Sequence, residues 1–263
     1  MPGPQITLVD VDDTIVPTDG MIPDHFYEGL SALHDIVVQA NIGTSAPIVF
    51  STGRDRNYVE ACAFFVGLPR FWCVIESGVA LFNPFTKEIM LNPALTPQVQ
   101  AAFVQIRKER MPKIMERFPQ LFEYPGNQIQ LTLERKHGVR EPIDNFYAAV
   151  RGELADFEEQ GLLTVRSSKI AIDISPVGSD GAPLDKASGV RFLGQQTGID
   201  PAKMLGIGDS RGDLPMFRTV GMVGCPTDAS EECRQLVKER GGHLSEFRYA
   251  SGVVDVIRHF TKS

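Results

Sequence analysis

The sequence predicts an α/β protein built on a parallel sheet, with a second α/β unit inserted between two halves of that sheet. Short apolar runs alternate with helical patterns along the chain, as expected for strands joined by crossover helices. Three of these runs are followed directly by DVDDT, STGR and GDSRGD, which are rich in carboxylates, hydroxyls and glycine. Open parallel sheets bind ligands beyond the carboxyl ends of their strands, so these segments are expected to meet at one site.

The first strand, predicted for residues 6–9, is followed by two acidic residues, Asp10 and Asp12. Side chains two positions apart on an extended chain point the same way, so both carboxylates can face one point beyond the strand. Their repulsion costs stability unless a cation or a reaction requires them. Thr14 adds a hydroxyl donor to the same loop. Taken alone, this pattern is as typical of an acidic turn that caps a helix.

The second strand, predicted for residues 48–50, leads into Ser51, Thr52 and Gly53 and then into a helical pattern. Hydroxyls and backbone amides at the N-terminus of a helix attract an anion. Arg54 follows, and its position is equally compatible with a substrate contact and with a surface ion pair.

Lys186 starts another helical pattern, and a later apolar run leads through a glycine turn to Asp209 and Asp213. A four-residue spacing places these two acids on one face if the helix has begun by then. Each residue alone is more typical of a solvated helix face or of an acid favoured by the helix dipole. Together, at the ends of alternating strands, the segments predict a catalytic site.

With these motifs the chain resembles the haloacid dehalogenase superfamily of phosphohydrolases over essentially its whole length. The resemblance implies a Rossmann-like parallel-sheet core and a large α/β cap of the C2 type between the second and third motifs. Two positions depart from the family pattern. Asp13 stands where glycine is commoner, and Gly212 where asparagine often precedes the last acid.

The resemblance also implies a phosphatase mechanism. Asp10 would attack phosphorus to give an aspartyl-phosphate, and Asp12 would act as general acid and then as general base. Thr52 and Lys186 would hold the phosphoryl oxygens, where negative charge accumulates in the transition state.

A charge count favours a divalent cation at the same site. The acids Asp10, Asp12, Asp209 and Asp213 would outweigh Lys186 and repel a phosphate monoester unless a metal ion were bound. Oxygen ligands without a His or Cys cluster suit Mg²⁺ rather than zinc. By resemblance, Asp209 and Asp10 would bind Mg²⁺ together with the main-chain carbonyl of Asp12, and Asp213 would orient the metal's waters or the lysine.

The alternating pattern is interrupted in mid-chain, which predicts a core of residues 1–82 and 176–263 and an inserted cap of residues 83–175. We expect cap strands at 87–91, 127–134, 162–165 and 169–174, and cap helices at 97–118 and 142–160. Pro112 is expected to kink or break the first of these helices.

The cap resembles those of sugar-phosphate phosphatases, such as the sucrose-phosphate, trehalose-phosphate and Cof-like types, which implies a sugar phosphate as substrate. The alternation in 127–134 predicts a half-buried strand with Gln128, Gln130 and Thr132 on its polar face. Lys169 could compete with Lys186 for the phosphate, but Lys186 precedes a helix and the acidic motif and is preferred. The remaining expected substrate contacts lie at a strand end in the core: Glu76, Ser77 and Gly78.

Composition points to a cytoplasmic enzyme that acts on small molecules. The chain has 263 residues with a net charge of −7, and no basic cluster is backed by stacking aromatics, so nucleic acid is a poor partner. No apolar segment reaches the length of a membrane span, and the N-terminus lacks the pattern of a signal peptide. The four cysteines show no metal-ligand spacing and are expected to be reduced. The oligomeric state is left open.

Two rival functions use similar residues. A phosphosugar mutase of the phosphomannomutase type would return the phosphoryl group to the substrate instead of to water, and differs in how well the closed cap excludes water. A signalling receiver also places paired acids, a Thr and a Lys around Mg²⁺. It would need no cap and would carry the acceptor Asp on a later strand, so the phosphatase is favoured.

Overall fold

The computed structural model describes residues 3–67, 69–168 and 171–261. Its strands are β1 (Ile6–Val9), β2 (Ile48–Phe50), β3 (Cys73–Ile75), β4 (Ala80–Phe82), β5 (Ile89–Leu91), β6 (Leu121–Glu123), β7 (Leu131–Arg135), β8 (Leu163–Ser167), β9 (Ala171–Pro176), β10 (Met204–Ile207), β11 (Met222–Cys225) and β12 (His243–Leu244). Its helices are α1 (Phe26–Asn41), α2 (Arg56–Val66), α3 (Pro97–Glu109), α4 (Met111–Arg117), α5 (Asp144–Glu153), α6 (Ala155–Glu159), α7 (Lys186–Thr197), α8 (Leu214–Thr219), α9 (Glu231–Glu239) and α10 (Tyr249–Thr261).

The chain divides into two compact units. The larger combines the residues up to 90 with those from 186 onward, and the smaller comprises residues 91–185. Both boundaries lie several residues further along the chain than the expected limits of 83–175. None of the helices described has the length and apolar character needed to cross a bilayer.

The larger unit is built on a parallel five-stranded sheet in the order β12-β11-β10-β1-β2. This confirms the predicted α/β class. The interior strand β1 is buried along its whole length, as expected for a strand covered on both faces. Val9 lies opposite Phe50 of β2 and Ile207 of β10, so the three strands reach the carboxyl edge of the sheet at the same level.

A second, three-stranded sheet in the order β3-β4-β5 lies beside the edge strand β2 and is joined to it by a parallel bridge between Ser51 and Val74. The prediction that residues 87–91 form a cap strand is therefore wrong, because β5 pairs in this sheet. The strand β5 joins this sheet because the chain reverses its direction after β4 through a tight turn. The side chain of Asn83 accepts hydrogen bonds from the N–H groups of Phe85 and Thr86, and Lys87 adopts a left-handed φ of 66°.

The smaller unit contains an antiparallel sheet in the order β6-β7-β9-β8. The predicted helix at 97–118 is broken into α3 and α4 beside Pro112, as expected. Buried aliphatic side chains occupy one face of β7 and β9, namely Leu131, Leu133, Ile172 and Ile174. On the opposite face, Thr132 lies across from Asp173 and donates a 2.9 Å hydrogen bond to its carboxylate, and Asp173 lies across from Arg166 of β8.

Strand β7 begins at Leu131, so the predicted strand of residues 127–134 is wrong in its first half. Arg107 of α3 donates hydrogen bonds to the main-chain carbonyls of Asn127 and Gln128, which keeps this segment out of the ladder. Gln130 is buried and Gln128 is exposed, so they do not form one polar face with Thr132. Their contact with substrate stays a prediction, and Lys169 lies outside the described residues.

Candidate active site

The carboxyl ends of β1, β2 and β10 form the floor of the site. The N–H of Asp10 donates to the carbonyl of Ile207 at 2.9 Å, and the N–H of Ser51 donates to that of Val9 at 2.8 Å. These bonds continue the parallel ladders by one residue beyond the strands. They fix Asp10, the first residue after β1, beside the loops that follow the two neighbouring strands.

Lys186 lies inside this site. Its Nζ is 2.8 Å from Asp10 Oδ1 and 2.6 Å from Asp213 Oδ1, and the residue is only 5% exposed. A close approach of α7 to the turn after β3 makes this possible, because a Cβ on Gly189 would lie 2.8 Å from the Cα of Gly78. Lys186 therefore does not lie on a solvated helix face.

Three carboxylates surround the lysine. Oxygens of Asp10, Asp209 and Asp213 lie within 4.8 Å of one another. Burial and the charge of Asp213 raise the pKa of Asp10 well above its usual value, and the same two causes raise the pKa of Asp209 to about 7. Burial alone would lower the pKa of Lys186, but the carboxylates of Asp10 and Asp213 raise it above its ordinary value, so the lysine is charged.

The two acids of the last motif have different surroundings. Asp213 is completely buried, and its Oδ2 accepts hydrogen bonds from the N–H groups of Asp209 and Ser210 at 3.1 and 3.0 Å. It therefore fixes the loop and the lysine. Asp209 is less buried, and its Oδ1 accepts a 2.6 Å hydrogen bond from the hydroxyl of Thr14. This bond ties the loop after β1 to the loop after β10.

The cluster suits a hard divalent cation such as Mg²⁺. Its donors are carboxylate oxygens, and burial together with the charge of Asp213 raises the pKa values of Asp10 and Asp209, so a bound cation would favour their ionised forms. With Arg54 beside Asp12, the four acids of the motifs face two cationic side chains. The charge count made from the sequence included Lys186 but not Arg54. A divalent ion would bring this set of side chains to formal neutrality.

Asp12 lies outside the three-carboxylate cluster and has partners of its own. Arg54 Nε donates to Asp12 Oδ2 at 2.6 Å, and the hydroxyl of Tyr58 donates to Oδ1. The structure thus brings Arg54 to an acid of the site. Burial and the charge of Asp12 raise the pKa of Tyr58 above its ordinary value, so its hydroxyl stays protonated and donates.

Sequence reasoning missed Tyr58. The available signal was its place in the first turn of the helix that follows STGR, because that turn starts at the carboxyl edge of the sheet. An aromatic residue in a helical pattern is more often part of the core. Nothing in the local sequence distinguishes such a core residue from a residue of the active site.

The Glu76–Gly78 turn supports the loop after β2. Three successive residues have a left-handed φ, 46° at Glu76, 53° at Ser77 and 100° at Gly78. Such a conformation costs about 1–3 kcal/mol for each non-glycine residue. The N–H of Glu76 donates to the carbonyl of Arg54, and that of Ser77 to the carbonyl of Thr52, both at 3.0 Å. The turn therefore fixes the backbone that carries Thr52.

Thr52 itself is fully buried, and its hydroxyl oxygen accepts a 3.2 Å hydrogen bond from the N–H of Arg54. Gly53 lies close to Ser77, since a Cβ on Gly53 would be 3.2 Å from the hydroxyl oxygen of Ser77. Asp55 caps α2 by accepting from the N–H of Asn57, so the loop passes directly into the helix. This is the local arrangement that the STGR segment predicted.

Comparison with known proteins gives the family. The sequence model of sucrose-6F-phosphate phosphohydrolases matches residues 4–261. Among curated relatives, the phosphoglycolate phosphatase of Methanospirillum hungatei is 32% identical over 79 residues, which is 30% of this chain and 32% of that protein. The chain thus matches about a third of the length of that relative.

Solved structures share the fold over nearly the whole chain. The sucrose-phosphatase from Synechocystis sp. PCC6803, in complex with sucrose and phosphate, has a TM-score of 0.65 and 19% identity, covering 99% of this chain and 98% of that one. A haloacid dehalogenase-like hydrolase from Bacteroides thetaiotaomicron has a TM-score of 0.68 and 17% identity, covering 97% and 98%. The fold is thus shared with a haloacid dehalogenase-like hydrolase of known structure, and the family model, which spans nearly the whole chain, shows that the chain belongs to the sucrose-6F-phosphate phosphohydrolase family.

Proposed function

We propose that this protein is a Mg²⁺-dependent phosphatase that hydrolyses a sugar phosphate through an aspartyl-phosphate on Asp10. The observation that carries the proposal is the pairing of Asp10 with the buried ammonium of Lys186, beside two further carboxylates. A nucleophile needs the phosphoryl oxygens to be neutralised at the point of attack, and the lysine provides a positive charge there.

In this mechanism an oxygen of Asp10 attacks phosphorus, and the bond from phosphorus to the ester oxygen breaks. Asp12 gives its proton to the leaving alcohol. It then takes a proton from a water molecule, whose oxygen attacks the aspartyl-phosphate and releases phosphate and Asp10. Thr52 and Lys186 hold the phosphoryl oxygens in both steps, because each lies at the edge where Asp10 leaves the sheet.

The donor set supports magnesium as the cofactor. Asp10 and Asp209 would hold the ion, with the main-chain carbonyl of Asp12, and Asp213 would keep Lys186 and the Asp209 loop in place. When bound, the cation neutralises phosphoryl charge and favours the ionised form of its ligands.

The inserted unit is the proposed source of substrate selectivity. Its antiparallel sheet presents Thr132, Asp173 and Arg166 on the face opposite the buried aliphatic side chains. Hydroxyl, carboxylate and guanidinium groups suit the hydroxyls of a sugar, and a site that hydrogen-bonds a hydroxyl discriminates against analogues that lack it. The substrate-binding roles of Gln128, Gln130 and Lys169 belong to the same proposal.

All four cysteines are buried and free, which favours a reducing compartment such as the cytoplasm. The function is tested by a screen of phosphorylated metabolites for released phosphate, with and without Mg²⁺. Sugar phosphates are expected to give the highest kcat/KM, and excess chelator is expected to abolish turnover. Phosphate transfer to a second hydroxyl of the same sugar would identify a mutase. Full activity in chelator would contradict the proposal.

A further inference from the structure

The side chains of Asp12, Arg54 and Tyr58 are in mutual contact. Asp12 receives a hydrogen bond on each carboxylate oxygen, one from Arg54 Nε at 2.6 Å and one from the Tyr58 hydroxyl. The guanidinium carbon of Arg54 also lies 5.5 Å from the centroid of the Tyr58 ring. Each member of the set therefore contacts the other two.

Two donors restrain Asp12 more than one donor can. A single hydrogen bond to Oδ2 lets the carboxylate turn about its Cβ–Cγ bond, since that terminal torsion is broad. A second donor on Oδ1 opposes this rotation. Tyr58 is suited to the role because it lies in the first turn of α2 and its partly buried side chain packs against the hydrophobic core.

We propose that Tyr58 is a positioning residue for Asp12, and that Tyr58 and Arg54 together hold the carboxylate in the orientation needed for proton transfer to the leaving group. The inference rests on the proposed function, in which Asp12 moves that proton. Tyr58 itself would touch neither substrate nor phosphate, so its effect must depend on how strongly a given leaving group requires a proton.

This dependence provides the test. Phenyl phosphate has a leaving group that needs protonation, whereas p-nitrophenyl phosphate releases an anion that is stable without a proton. Neither ester resembles a sugar, so recognition by the inserted unit does not affect the comparison. kcat/KM is the informative constant, because it covers the steps up to release of the phenol and excludes hydrolysis of the aspartyl-phosphate.

For Tyr58→Phe we expect kcat/KM with phenyl phosphate to fall roughly tenfold to a hundredfold, as for a misplaced proton donor. With p-nitrophenyl phosphate kcat/KM should change by less than about twofold, since a better leaving group makes little use of that donor. The melting temperature should match that of the wild type, because the ring remains. Tyr27→Phe is the matched control, since Tyr27 is 70% exposed and lies on α1; both of its rate constants should equal those of the wild type.

A double-mutant cycle tests whether Tyr58 acts through Asp12. In an Asp12→Asn background, Tyr58→Phe should cause no further loss of the residual rate with either ester. Equal losses on both esters, no loss on either, or an additive loss in the Asp12→Asn background would overturn the inference. A wild-type enzyme that released phosphate from no monoester would instead overturn the proposed function, so the two failures are distinct.

Discussion

Gly208 lies directly against the carboxylate of Asp213: a Cβ added to Gly208 would be 2.2 Å from Asp213 Cγ. The same carboxylate accepts hydrogen bonds from the N–H groups of Asp209 and Ser210 and from Lys186. The absence of a side chain at position 208 is therefore what allows a buried acid to hold both the lysine and the loop that carries Asp209.

Gly208→Ala is expected to displace this carboxylate. Overpacking of a filled interior costs about 1–3 kcal/mol, and here the displaced group is charged and buried. Both the melting temperature and kcat should fall. Gly212→Ala is the control in the same loop, because its Cβ would meet only Ser210 Oγ at an ordinary 3.4 Å. Equal effects of the two substitutions, measured by thermal melting and phosphate release, would contradict the proposed role of Gly208.

The effect of Mg²⁺ on stability should depend on pH. The folded pKa of Asp209, about 7, lies above its ordinary value of 3.8, so between these values the metal-free fold binds more protons than the unfolded chain. Its contribution to stability therefore falls as pH rises through this window. A cation binds the ionised carboxylates and offsets the loss above pH 7.

We expect Mg²⁺ at a hundred times its Kd to stabilise the protein by about 2.7 kcal/mol at pH 8, visible as a clear rise in melting temperature. At pH 5 the same concentration should have a much smaller effect, because protons compete for Asp10 and Asp209. Chelator should reverse the shift at pH 8. A shift of the same size at both values of pH would count against these two ligands.

Asp10→Asn should lower kcat by at least about a thousandfold, because it removes the nucleophile. The fold should survive. The raised pKa of Asp10 shows that its ionised form is disfavoured in the metal-free protein, and Lys186 keeps Asp213 as a partner at 2.6 Å. The melting temperature without metal should therefore equal or exceed that of the wild type at pH 7.

A phosphoryl mimic tests which of the acids is the nucleophile. Beryllofluoride with Mg²⁺ should raise the melting temperature of the wild type but not of Asp10→Asn, since the mimic bonds to the nucleophilic carboxylate. Attachment to Asp12 or Asp209 in a crystal structure would show that the nucleophile was assigned to the wrong residue.

Asp173→Asn should impair recognition of the natural substrate while sparing the chemistry. If the polar face of the inserted sheet binds sugar hydroxyls, kcat/KM for the best sugar phosphate should fall roughly tenfold or more, whereas kcat/KM for p-nitrophenyl phosphate should stay unchanged. Glu159→Gln removes a charge from an exposed helical position of the same unit and serves as the control. An equal fall in kcat/KM with both substrates would show that the substitution disturbs folding and not recognition of the sugar.

Much of the core was predictable from the sequence because its signals are local. The runs at 6–9 and 48–50 are too short and too apolar for surface helices, and they form β1 and β2 as predicted. The acids, hydroxyls and glycine turn that follow them stand where parallel strands must end. The sequence singles out Lys186 by its place before a helix, and in the structure Lys186 is the buried first residue of α7.

Sequence patterns mislead where the position of a residue depends on distant neighbours. Gln130 fits an alternating pattern, yet Arg107 of another element holds the adjacent backbone out of the strand. Tyr58 has the spacing of a core aromatic residue, and Asp12, to which its hydroxyl donates a hydrogen bond, lies 46 residues earlier in the chain. Patterns along the chain carry no information about such contacts.

The place of β1 between β2 and β10 has a consequence for how the protein forms during synthesis. One of its two neighbours, β2, follows within the first 50 residues, but the other, β10, begins at Met204, after the whole inserted unit. A nascent chain therefore exposes one unpaired edge of this fully buried strand until about three quarters of the protein has left the ribosome. Contacts of such sequence separation fold slowly and leave strand edges open to aggregation. Co-translational folding of this protein should accordingly depend more on chaperones than that of a chain whose neighbouring strands are adjacent in sequence.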